Sequence, residues 1–199
     1  MSIKITTINF QATQAALRKE LEKFRGKKHV TIGIHESAGQ VEGGGLTMAK
    51  LGLINEMGAE IDHPGGTDYG YANKKDAEEG KVRFLAPGKG YMHLGQTSQH
   101  KITIPARPWL EPGVAGATPL ILETIANGIE DGMTPDETLE AVGVVVAGEV
   151  RQYMTDLRSP PNAKSTIRKK KSDNPLIDKG HMRAAVTHNV SSDHVEEGL

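Results

Sequence analysis

An α+β domain is the fold class this sequence predicts: a small, mostly antiparallel sheet packed by two to three helices, with long extended loops or arms. Three observations predict it. Short runs in which apolar residues alternate with polar ones, at Ile3 and Ile5 with Ile8 beyond them, at Val30, Ile32 and Ile34, and at Ile102 and Ile104, read as strands. A stripe at helical spacing, from Leu139 through Val142, Val145, Val146, Val150, Tyr153 and Met154 to Leu157, reads as one long helix. Hydrophobic residues make up only 37% of the 199 and aromatics 4%, so much of the chain is expected to be loop.

In chain order, the strand at 3–8 precedes a helix from about Ala12 to Phe24, with Asn9 placed to cap it. Lys27 and Lys28 suit its C-terminal end. After the Val30 strand comes a glycine-rich loop at 38–45. A helix follows at 46–57, with Met48, Leu51, Ile54 and Met57 inward and Gly58 as its stop. Residues 59–99 are the least regular part, with one strand at 81–85, and read as an excursion inserted before the Ile102 strand. So long a loop carries function or reaches a neighbour, the alternative being a mobile surface loop. Pro105 ends the Ile102 strand, and Pro108 keeps Arg107 extended, so that Trp109, the only tryptophan, is delivered to a fixed place.

Residues 119–129 predict a further helix. Thr134-Pro135-Asp136-Glu137 is a helix start with an N-cap hydroxyl, proline at N1 and a glutamate at the box position. Ser159-Pro160-Pro161 ends the long helix. A polar arm at 159–179 follows, pinned by Leu176 and Ile177, then a final strand at 183–190 and a polar tail at 191–199. One domain over 1–190 is the organisation this implies. No repeat of the length a solenoid needs occurs.

The net charge of −1 implies no global polyelectrolyte partner, and without cysteine there is neither a disulfide framework nor a thiolate zinc site. With no apolar run of signal or membrane length, the sequence reads as a soluble protein made in a cytoplasm, without membrane contact. Phosphate loops fail: Gly80-Lys81 would need glycine at 75 and has Lys75, and Gly88-Lys89 would need it at 83 and has Arg83. Gly43-Gly44-Gly45 before a helix reads as a linker rather than an anion site. His35-Glu36-Ser37 places three catalytic types side by side, where they cannot converge. Asp62, His63, His93 and His100 fall in the excursion and are the metal-binding candidates, though without the helical spacing of known zinc motifs. Between 164 and 183, seven Lys and Arg face two Asp, a cluster fit for phosphates or an acidic protein surface, or simply a solvated arm.

Three blocks carry a family resemblance. They are Leu53-Ile54-Asn55-Glu56-Met57-Gly58; Ile104-Pro105-Ala106-Arg107-Pro108-Trp109-Leu110; and Pro160-Pro161-Asn162, Ser165-Thr166 and Pro175-Leu176-Ile177-Asp178-Lys179-Gly180 with Arg183. In this order, over roughly 46–190, they resemble the neck and tail-completion proteins of tailed bacteriophages. Met57 and Trp109 stand where an aromatic and a phenylalanine are usual, and Lys179 departs from the pattern.

The resemblance implies a virion structural protein of the head–tail junction, assembled in the host cytoplasm: a ring of six or twelve copies joining the tail to the DNA-filled head. It implies head-completion or connector proteins and tail-terminator or tail-tube proteins as partners, and double-stranded DNA passing through the lumen without sequence specificity. No enzymatic activity, cofactor or metal is expected. The structural and interface candidates are Asn55, Glu56, Gly58, Pro105, Arg107, Pro108, Trp109, Arg168, Lys169, Lys170, Lys171, Leu176, Asp178 and Gly180. Tail terminator or another tail subunit is the alternative position. A metal-dependent hydrolase using His63, His93 and His100 is the alternative class.

Overall fold

In a computed structural model, the residues described are 28–192 together with 14, 15, 18, 19, 22 and 23. Those six are helical and fall within the helix expected at 12–24. The strand expected at 3–8 and the tail beyond residue 192 lie outside the described residues. The chain is α+β, but its strands form three small antiparallel sheets rather than one, and seven helices are described rather than two or three. It divides into two compact units, residues 57–106 and the remainder.

The larger unit is built on the long helix. Strand β1 (His29–Gly33) pairs antiparallel with β7 (Thr187–Ser191), so segments more than 150 residues apart in sequence meet in one ribbon, Val30 opposite Val190. Helices α1 (Met48–Met57), α3 (Leu110–Gly116), α4 (Thr118–Glu130), α5 (Pro135–Asp156), α6 (Lys164–Lys170) and α7 (His181–Ala184) complete it. Helix α5 packs against α3, α4, β1 and β7. Its start is the capping box read from sequence: the Glu137 N–H donates to Thr134 Oγ1 and the Thr134 N–H to Glu137 Oε2. The Thr134 N–H and hydroxyl, both donating to its Oε2, hold the Glu137 carboxyl below its usual pKa.

Val142, Val146, Val150 and Met154 are buried in the core as the stripe predicts, whereas Tyr153 is exposed. Thr138, Gly143 and Ala147 share that buried face. They permit close approach rather than supply bulk. A Cβ on Gly143 would stand 2.2 Å from the His188 ring, so β7 lies on α5 through a notch. Met48, Trp109, Leu176, Met182 and Val186 close the core around the helix. The final strand starts later than expected, because α7 occupies residues 181–184.

The smaller unit corrects the reading of 59–99 as an irregular excursion. Strand β2 (Ala59–His63) pairs with β6 (His100–Ile104), Ile61 opposite Ile102. Strand β3 (Asp68–Tyr71) lies between β4 (Arg83–Phe84) and β5 (Met92–Gln96). Helix α2 (Lys74–Glu78) is capped by Asn73, whose side chain accepts the Asp76 N–H. The strand expected at 81–85 is only the two-residue β4. The alternation at 101–104 does mark a strand, but not a half-buried one, since Ile102 and Ile61 are both exposed. Glycine-rich turns misled the reading: they tighten these hairpins rather than loosen the segment.

Candidate functional site

Parts of all three sequence blocks converge within the larger unit. In the first block, Asn55 and Glu56 lie in the last turn of α1. The Glu56 carboxylate accepts the backbone N–H of Trp109 (2.7 Å), Leu110 (2.9 Å) and Glu111 (3.4 Å). Those are the orphan donors at the start of α3, whose N-cap residue, Trp109, has no side-chain cap of its own. A glutamate more than fifty residues upstream therefore caps the helix. Beside it, the Asn55 carbonyl accepts the Arg107 N–H at 2.6 Å, and the Asn55 amide donates to the Leu51 carbonyl.

Trp109, in the second block, is 3% exposed and donates its indole N–H to the Gly52 carbonyl. Its ring lies against Gly52, where a Cβ would come within 3.2 Å of Trp109 Cζ2 and 3.0 Å of Ile34. Arg107, 6% exposed, donates from Nε to the Pro160 carbonyl (2.8 Å) and from Nη2 to the Pro161 carbonyl (3.2 Å). Burial pulls its guanidinium below the usual arginine pKa. The planar fork reaches two successive carbonyls, which a lysine could not do with the same geometry.

The third block is thereby tied to the second. Leu176 is buried in the core, and Met182 Sδ lies 3.8 Å from the Asn55 amide. The fastening that sequence reading missed is Asn174. Its amide donates to the Met154 and Thr155 carbonyls at the end of α5, and its Oδ1 accepts the Leu176 and Ile177 N–H groups. The Asn174-Pro175 dipeptide is a turn signal that could have drawn attention to it.

The remaining candidates separate from this node. Pro105 and Pro108 are exposed spacers around Arg107. Gly58 stops α1 with φ +76°, and a Cβ there would stand 2.8 Å from the Ala106 nitrogen and the Ile104 oxygen. Gly180 opens α7 with φ +83°, and Asp178 is exposed.

The arm at 159–179 is not simply an extended loop, because α6 lies within it. Arg168, Lys169 and Lys171 are exposed. Lys170 is half-buried and donates Nζ to the Asn174 carbonyl at 2.7 Å. Burial lowers its pKa, with Asp178 raising it and Arg107 lowering it further. Lys179 is hydrogen-bonded to Glu42, which holds the lysine's pKa up and the glutamate's down.

An open groove of about 550 Å³ lies between β1 and α3, lined by Val30, Ile32, Leu110 and Val114 with Glu56 and Glu111. In the smaller unit, His63 and His100 rings face each other at 4.9 Å, while His93 Nδ1 lies 3.9 Å from Asp68. Among the described residues no three His, Cys, Asp or Glu side chains stand together as a metal site would need. No described helix is long and apolar enough to cross a membrane. No protein-family model, curated protein or solved structure matches this chain.

Proposed function

We propose that this chain is a structural protein of the head–tail junction of a tailed bacteriophage, forming a ring of six or twelve copies that joins the tail to the filled head around the DNA channel. One observation supports the reading beyond the resemblance itself. The polar residues that carry the resemblance are not scattered over the surface. Glu56 caps the helix that Trp109 opens, Asn55 receives Arg107, and Arg107 fastens Pro160 and Pro161.

Such an arrangement spends its polar side chains on positioning backbone segments, which suits an assembly protein. The node would hold fixed the root of the arm that presents Arg168, Lys169 and Lys171. The test is location. Antibody raised against the chain and applied to intact particles of the encoding phage should label the neck between head and tail. Label along the tail tube, at the distal tip or on the head alone overturns the proposal.

A further inference from the structure

The three-stranded sheet of the smaller unit leaves an apolar face open. Ladder partners share a face, as do residues two apart on one strand. Tyr69 pairs with Phe84 and Gly95, and Tyr71 with Met92, which places both tyrosines, Phe84 and Met92 on one side of the sheet. Arg83 points to the other side, where its Nε meets Asp76 Oδ2 at 2.7 Å. Phe84 is 74% exposed, Met92 48% and Val82, two residues before Phe84, 50%. The chain has eight Phe, Tyr and Trp, and four of them lie between 69 and 91. Leu85 is the only buried large hydrophobic residue described in this unit.

We infer that this face, centred on Phe84 and Met92, is the surface by which one copy of the chain binds another. Three observations choose a second copy over other occupants. Between 57 and 106 there are six Asp and Glu against six Lys and Arg, and Arg83–Asp76, Lys101–Glu60, Lys74–Glu78 and Lys75–Glu79 pair internally. Identical units therefore meet without charge repulsion, whereas a nucleic acid finds no excess of positive charge. The size also fits. Large side chains of 150–250 Å² each leave roughly 400 Å² of apolar surface open here. That approximates the apolar share of the roughly 800 Å² one partner gives to a specific interface. Finally, β4 and β5 each pair only with β3 among the described residues, so every copy offers strand edges beside its apolar face.

The inference does not need the head–tail reading: self-association is measured on the free protein, location on the virion. Sedimentation of the full chain over a range of concentrations should show reversible association. Phe84→Lys with Met92→Lys should weaken it at least tenfold, while Leu122→Lys, an equally exposed site in the larger unit, should leave it unchanged. Hydrogen exchange on the unmodified protein supplies a second readout: amides of 83–85 and 92–94 should slow as concentration rises. A wild type that stays monomeric, a double variant that associates as tightly, equal loss with Leu122→Lys, or concentration-independent exchange at those amides overturns the inference. So does single-stranded DNA binding that is lost with Phe84.

Discussion

Glu56 shows how one side chain can do what local sequence does not. Helix α3 begins at Leu110 behind a tryptophan that cannot cap, and its first N–H groups are satisfied by a carboxylate from α1. Removing that acceptor leaves donors in a partly buried place unpaired, which costs about 1–3 kcal/mol. Glu56→Ala should therefore lower unfolding stability in urea by that amount. Glu56→Gln, which keeps one acceptor oxygen, should lie between the variant and wild type. Equal stability of all three would mean that water caps α3 as well as the carboxylate does.

At the scale of elements, Asp76 joins α2 to β4 in the smaller unit. Its carboxylate is almost fully covered and takes Arg83 Nε at 2.7 Å and Nη2 at 3.1 Å. The Arg83 hydrogen bond, aided by its charge and opposed by burial, holds the Asp76 carboxyl below the usual aspartate range. A group whose pKa is depressed by folding contributes stability above its unfolded value and loses it as the pH falls through the folded one. Protection factors of amides in 74–84, corrected for the intrinsic pH dependence of exchange, should accordingly fall as the pH drops below the ordinary aspartate value, with little change between pH 5 and pH 8. Asp76→Asn should show the faster exchange at neutral pH and lose the acid dependence. An Asn variant protected like wild type would remove the pair from the account of this unit.

For the whole molecule, the basic arm acquires a division of labour. Lys170 and Lys179 are engaged by Asn174 and Glu42, and Arg183 Nη1 donates to Thr155 Oγ1. That leaves Lys164, Arg168, Lys169 and Lys171 exposed. Replacing Arg168, Lys169 and Lys171 with Ser avoids disturbing Lys170. Under the head–tail reading, and with an acidic partner surface opposite the arm, the triple variant should join heads to tails poorly in vitro. Raised salt should reproduce the defect with wild type, since salt screens exposed pairs. Normal joining with altered DNA retention would place the arm against DNA instead.

What the sequence determined by itself is local. The capping box of α5, the inward stripe of Val142, Val146, Val150 and Met154, and the stop at Gly58 depend on neighbours within a few residues, so spacing alone exposes them. Trp109 was legible as an anchor for a similar reason: two prolines and one large ring leave little choice of conformation. Tertiary structure decided everything that pairs distant segments. The partners of β1, the Asn174 clasp, and the reach of Glu56 to α3 and of Arg107 to Pro160 each join residues too far apart in sequence for any periodicity to register. The same limit explains the segment at 59–99. Its strands are two to five residues long and sit between glycines, and it buries little apolar surface, so its order comes from cross-strand hydrogen bonds that a linear pattern does not record.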